Sequence, residues 1–549
     1  MAVDVLKFQE KGASLFCERD RRRLQKRLAV CGEALVDEFG GTGLEIRFLR
    51  LRLGVDHTSQ AILLPMTERL TLGGGWGHVG RSRDGSNQRT MWVPRAPRLL
   101  LARDSVGRVE ILPPLETGWK EGERGEVSCS LPTAPHGSMW SLPLVFLDDL
   151  EGQWFRHFEW LSWQVWPQLM KSDWFRADSP SDLWDSLIDG SVFDPRESTC
   201  GKGRFRCQQC AGAWWSYLHI AGTESGSPLM SLLAREVAWS ARVQLEEPGG
   251  WRHGYWNEEP ETHVRFFVDG IDLLLNEAAE SGDESWVIAA EGAMNEVVDR
   301  FSDRLPDDGL WFLHDSIEAA GTPPRNTPPC LGQSRGNSLC LNTHVQTLIV
   351  LSRLAKVQSG EQSAETRERY KRGMAALRRI LELDSAPAVY RFLGACVRPV
   401  VESKNRPGLT ARVIRVLAFR VFQRLYWWLR RRYPRIAYPN GFIERDMASS
   451  MLADDYHVLN LKDLLLLYAL DPQPWIAKAV VDGFGFLQSL DLRAARGRSP
   501  LFIEVVDVHR LFARFLGRDG ATVVGQVSAI SHEGDEARSL DDALWSLKP

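Results

Sequence analysis

Three tracts of the chain crowd acids, bases and aromatic groups together closely enough to do proton chemistry. The first, GGWRHGYWNEEPETHVR at 249–265, sets Trp251, Arg252, His253, Tyr255, Glu258, Glu259, Glu261, His263 and Arg265 around a helix start marked by Pro260. The second is WFLHDS at 311–316, with His314 and Asp315, followed after a long connection by Asn342-Thr343-His344. The third runs from Asn440 to Asn460 and carries Glu444, Arg445, Asp454, Asp455, Tyr456 and His457 ahead of an apolar helix. Removing a proton next to a carboxylate needs a base, an acid on the opposite face and cations that hold the growing charge. Tyr456, Glu259, His263 and His314 are the candidate proton carriers. Arg252 and Arg265 can grip a carboxylate at two points. Trp251, His253, Tyr255, Asp315, Asn342, His344, Glu444, Arg445 and His457 complete the candidate substrate-binding set.

Each of these residues also has a plainer use. Glu258, Glu259 and Glu261 complement the positive end of a helix, and a histidine on an apolar face serves as a core donor. His263 and Phe267 fall on one face at i, i+4, which lets His263 point into a pocket while its neighbours pack. The same proton abstraction opens a β-eliminating lyase reaction, and a facing carboxylate pair such as Glu259 and Asp455 would serve glycoside hydrolysis. If the tracts do not converge, a non-catalytic glycan-binding or scaffold protein is the better reading.

The elements that must position these groups change character along the chain. Residues 10–38 carry a helix-like pattern with a basic run from Glu18 to Arg27, and LEIRFLRLRL from Leu44 then alternates as a strand, with a slip at Leu49 that reads as a bulge. RLLLA at 98–102 and RVEIL at 108–112, separated by Asp104–Gly107, read as a hairpin. LGGGWGHVG at 72–80 lacks GxxxxGK[ST] and any helix pattern after it, so it reads as a loop with Trp76 and His78 at its tip. Helical blocks follow at 154–166, 229–245, 262–282, 286–305, 339–356, 366–383, 409–432 and 459–470. Successive helical hairpins bury their faces most simply by closing into a ring. The expected fold class is therefore α+β: a mainly β region at 1–150 with a leading helix, an (α/α) toroid of six-hairpin type at 151–490, and a C-terminal extension at 491–549. The proline-rich connection Ile317–Ser338 is long enough to act as a rim loop or lid.

Tyr456-His457 followed by VLNLKDLLLLYALDPQPW resembles the C-terminal segment of heparosan and heparan D-glucuronyl C5-epimerases, where a Tyr-His pair opens the last long helix. LCLNTHVQTLIVLSRL at 339–354, after Trp311-Phe312, is similar to a Leu-Asn-led helix of the same enzymes, and the resemblance covers about 260–480. It implies a toroid, a uronate substrate and a catalytic role for Tyr456. The family carries Glu and Tyr where this chain has His314-Asp315, and a second tyrosine near Phe442-Ile443-Glu444-Arg445, so Tyr456 alone carries over.

Composition fits an ordinary folded protein. The chain has 549 residues, a formal net charge of −4, 44% hydrophobic and 25% charged residues, a balance that does not suggest nucleic acid as a partner. Nine thinly spread cysteines suit a reducing, cytoplasmic setting, and neither a spanning segment nor a signal peptide is read. Cys200, Cys207 and Cys210 with His219 lack the second ligand pair that makes a zinc spacing specific, so no metal or cofactor is expected. Twenty-one tryptophans suit core packing and sugar platforms alike. The acid-free stretch Arg406–Arg435, with Trp427 and Trp428, has the make-up of a basic amphipathic helix, and 409–432 is the candidate contact with the inner membrane face or a lipid-linked saccharide.

Overall fold

A computed structural model describes the strand backbones between residues 2 and 147, two-residue strand pieces within 171–206, and then 208–226, 228–242, 262–305, 308–320, 339–383, 441–444, 454–489 and 508–517, with isolated residues such as Trp251, Arg424, Trp428 and Arg435. The chain divides into two compact units, Met1–Glu261 with Ala279–Gly282, and Thr262–Ala278 with Asp283–Pro549.

In the first unit, strands Ser14–Arg19, Arg22–Ala29, Gly32–Gly41, Leu44–Gly54 and Ser138–Leu147 pair in that order. The sheet continues through Asn87–Val93 and His78–Asp84 to Met66–Thr71. The leading helix expected at 10–38 is replaced by three of these strands. Leu24 and Leu28 suit either a helix face or a strand face, and pairing with the long alternating strand at Leu44–Gly54 decides between them. No bulge interrupts Leu49: the register runs unbroken from Leu44 to Leu53. The hairpin of Arg98–Ala102 with Val109–Ile111 forms as expected. His78 pairs opposite Thr71 and Val93 and so belongs to a strand rather than a loop tip, while 72–77 lie outside the described residues. The unit also contains helices α1 (Gln208–Ser225) and α2 (Pro228–Arg242), which pack on one another. The sequence reading missed α1, having taken Cys210 and His219 as parts of a thiol cluster.

The second unit is mostly helical, with one small two-stranded ribbon, Ser302–Arg304 with Leu310–Phe312. Among the described residues its helices include α3 (Val264–Ser281), α4 (Glu284–Arg300), the single turn α5 (Ser316–Ala319), α6 (Leu341–Val357), α7 (Gly360–Leu381), α8 (Asp454–Leu470) and α9 (Pro474–Ser489), and 508–515 is helical as well. Composition separates two kinds. Helix α3 buries Val264, Phe266, Phe267, Val268, Ile271, Leu273, Leu274 and Leu275, and α6 is buried nearly all round, as befits helices covered on most sides. Helix α7, GEQSAETRERYKRGMAALRRIL, buries a single stripe ending in Met374, Ala376, Leu377 and Ile380. Helix α6 packs against α4, α7 and α8, and α7 against α9. Local chemistry sets the boundaries: Asp283 caps α4 by accepting from Ser285 N at 2.8 Å, and Gly282 and Gly360, at φ of +68° and +60°, make the left-handed turns before α4 and at the start of α7. Among the described residues, no helix is long and apolar enough to cross a membrane.

Candidate active site

The start of α3 is fastened to the loop that precedes α5. His263 and Asp315 form an antiparallel bridge, Val264 N donates to His314 O at 3.0 Å, and Ser316 N donates to Thr262 O at 2.9 Å. This backbone lacing sets the two imidazoles edge to face, with ring centroids 4.3 Å apart, while Phe266 stacks on His263 at 4.5 Å. His314 Nδ1 lies 3.2 Å from Thr343 Oγ1, at the start of α6. Asp315 is occupied as the cap of α5, accepting from Glu318 N at 2.8 Å, and Glu318 in turn accepts from His314 N at 2.7 Å. His263 and His314 remain half-buried.

Arg265 joins three helices. Its guanidinium donates to Asn342 O at 2.9 Å and to Asp463 Oδ2 of α8 at 2.6 Å, and stands 3.9 Å from Asp269. Farther along, Gln346 donates to Asp269 and Arg353 donates to Asp272 and Asn276, so α3 and α6 run side by side in the same direction. The parts of the predicted tracts at 262–265, 313–316 and 342–344 therefore meet. In a second grouping, 442–444 meets 456–460, where Ile443 N donates to His457 Nδ1 and Asn460 Nδ2 donates to Glu444 O. Arg265 links the two groupings through Asp463.

Several of the expected substrate contacts are structural instead. His344 and His457 are fully buried and both nitrogens of each ring are engaged by backbone, so neither can meet a substrate. Glu444, 2% exposed, stands 3.3 Å from Arg435 Nε. Asn342 is buried, its side-chain oxygen accepting from Cys340 Sγ. Trp251, 1% exposed, donates Nε1–H to Ala241 O at 2.8 Å within the first unit. In each case a polar or amphipathic group read as a substrate contact satisfies a buried backbone or side-chain partner. Arg252, His253, Tyr255, Glu258, Glu259 and Arg445 lie outside the described residues, as do 154–166, 321–338 and most of 409–432. Tyr456 is half-buried near the start of α8.

Asp269 and Asp463 lie outside the three tracts, and Thr343 lies within the second without a role assigned to it. A carboxylate inside a mostly apolar helical run, Asp269 with Asp272 in FFVDGIDLLL or Asp463 in NLKDLLLL, is the available signal for the two aspartates. Burial is the largest influence on Asp269, opposed by Arg265, and raises its pKa from 3.8 to about 7. The unfolded chain loses this proton near pH 4, whereas the folded protein keeps it to about pH 7. Stability from this group is thus fully present below about pH 4 and lost as the pH rises towards 7. Asp269→Asn is expected to be the more stable protein above pH 7, by about 3–4 kcal/mol, and to lose that advantage at pH 4. Urea unfolding at the two pH values measures it, and equal stability of the two proteins above pH 7 would contradict it. Among the described residues, no group of His, Cys, Asp and Glu is arranged to hold a metal ion.

No protein-family model and no curated protein matches the chain. Among solved structures, one named as a polysaccharide lyase aligns over 84% of this chain and 70% of its own, at 8% identity and a TM-score of 0.23, a likeness too slight to define the fold.

Proposed function

We propose that the helical unit closes as an (α/α) toroid and acts on an anionic glycan by moving the proton at C5 of a uronate, as a C5-epimerase does. The observation that carries this reading is the imidazole pair His263 and His314, set edge to face at 4.3 Å where α3, the α5 loop and α6 begin together. Two half-buried imidazoles at joined helix starts are suited to taking and returning a proton, while Arg265, two residues after His263, is paired with Asp463. Tyr456 is the proton carrier that the epimerase resemblance implies. Glu259, Arg252 and Arg445 complete the proposal from sequence alone.

Incubating the protein with uronate-containing glycans in heavy water tests the reaction. Deuterium at C5 in an unshortened chain is the expected result. Unsaturated uronate ends would mean a lyase on the same groups, and new reducing ends alone would mean a glycoside hydrolase. A protein that changes none of the glycans yet binds them would fit the non-catalytic scaffold and remove the enzymatic reading.

The substrate is proposed to be held at a membrane surface through 409–432. Arg424 and Trp428, four residues apart and both helical, are exposed, Trp428 to 61%. Anionic headgroups attract each nearby Lys or Arg by about 1 kcal/mol. The protein should co-sediment with anionic vesicles at low salt and leave them as salt rises, and changing Arg430, Arg431 and Arg432 to Ser should weaken binding. Wild-type protein that ignores such vesicles at low salt would end the membrane proposal.

A further inference from the structure

Two helical hairpins of the second unit are held by the same set of parts. In the first, His344 is the fourth residue of α6; its Nδ1 accepts from Phe312 N at 3.2 Å, its Nε2 meets Gly373 O of α7 at 3.0 Å, and its ring stacks on Trp311 at 3.8 Å. In the second, His457 is the fourth residue of α8; its Nδ1 accepts from Ile443 N at 3.0 Å, its Nε2 meets Gly483 O of α9 at 3.1 Å, and its ring stacks on Phe442 at 5.7 Å. Both glycines are closely approached by leucine side chains. A Cβ on Gly373 would stand 2.5 Å from Leu348 Cδ2, and one on Gly483 would stand 3.0 Å from Ile443 Cδ1 and 3.2 Å from Leu461 Cδ1. Leu348 and Leu461 each follow their histidine by four residues. In this correspondence Tyr456 takes the place of Thr343, the residue whose hydroxyl meets His314.

We infer that His344 and His457 are positioning residues, each latching the extended segment before its helix so that the neighbouring reactive group, His314 with Thr343 in one hairpin and Tyr456 in the other, is held in place. The inference deepens the proton-transfer reading above and rests on it for its functional meaning. Because a carbonyl only accepts, Nε2 carries the hydrogen and Nδ1 keeps its lone pair for the backbone N–H of Phe312 or Ile443. Burial pulls the pKa of His344 down to about 3 and that of His457 down to about 4, against the smaller raising effect of the glycine carbonyl. The rings therefore stay neutral and the latches stay closed through the neutral range.

The test is crossed, on the full chain. One probe is the titration of ¹³C-labelled His314, assigned by its loss in His314→Asn; the other is a fluorotyrosine placed at 456. Asn at 344 keeps an acceptor near the place of Nδ1, whereas Gln keeps only the donor near Nε2. His344→Gln should move the His314 midpoint by more than about 0.5 pH unit while His344→Asn moves it less, and neither should move the Tyr456 signal. His457→Gln should do the reverse. Unchanged His314 titration in folded His344→Gln, or equal disturbance of both probes by either variant, overturns the inference. If His344→Gln does not fold, scalar coupling between the Phe312 amide and His344 Nδ1 in the wild-type protein decides: its presence supports the latch and its absence overturns it. Crossed shifts in a protein that exchanges no deuterium into any uronate glycan would leave the latches standing and remove the proton-transfer reading.

Discussion

Tyr456→Phe should leave a folded protein that exchanges deuterium into uronate C5 about 10²–10⁴-fold more slowly, the size of effect expected when one positioned proton donor is removed. The phenol is half-buried, so its loss leaves no large cavity and the ring still packs. Its neighbour His457 takes its two hydrogen bonds from the backbone and is unaffected by the substitution. Tyr456→Phe and wild-type protein should therefore melt within about 0.5 kcal/mol of each other while differing in turnover. Wild-type exchange by the phenylalanine variant would take Tyr456 out of the proton path and return the chemistry to His263 and His314.

The largest loss of stability is expected at the buried pair Arg435 and Glu444. Arg435 donates to Phe442 O at 2.8 Å and to Leu381 O at 3.2 Å, and its Nε faces Glu444 at 3.3 Å. Arg435→Met removes all three interactions and takes the cation away from a carboxylate that is 2% exposed, which should cost about 3–5 kcal/mol. Replacing both partners, as Arg435→Met with Glu444→Leu, removes that buried charge as well and should recover a large part of the loss. Urea unfolding of the wild type, the two single variants and the double variant makes a complete cycle. Additive losses would mean that the two side chains are stabilised by their separate surroundings and not by each other.

How far the chain could be read in advance depended on what each signal competed with. The extents of α3 and α6 followed from apolar periodicity because their burial is long and nearly continuous, whereas the helix expected at 286–305 spans Glu284–Arg300 and gives way to the strand Ser302–Arg304. The stretch at 10–38 misled because a basic run with leucines four apart looks helical until its partner strands are known, and strand pairing is not a local property. The tracts at 262–265, 313–316 and 342–344 were recognisable from residue type alone. Their division into reactive and structural members was not: His314 and His344 look alike as letters, and only the hydrogen-bond partners around each ring separate them. Glu444 was misread for the same reason, since its buried partner Arg435 lies nine residues upstream, within a stretch read for its surface chemistry.

The long sheet of the first unit ends on Ser14–Arg19 at one side and Met66–Thr71 at the other, and both end strands break register, between Leu15 and Cys17 and between Thr67 and Leu70. The next pairs inward, from Arg22–Ala29 to Leu44–Gly54, run without a break. Among the described strands neither end strand has a further partner; an edge of this kind invites a second chain to add itself as another strand, and irregular spacing spoils the template on which such growth depends. Restoring a regular register at either end should therefore leave the folded sheet little changed while making the protein more prone to polymerise edge to edge.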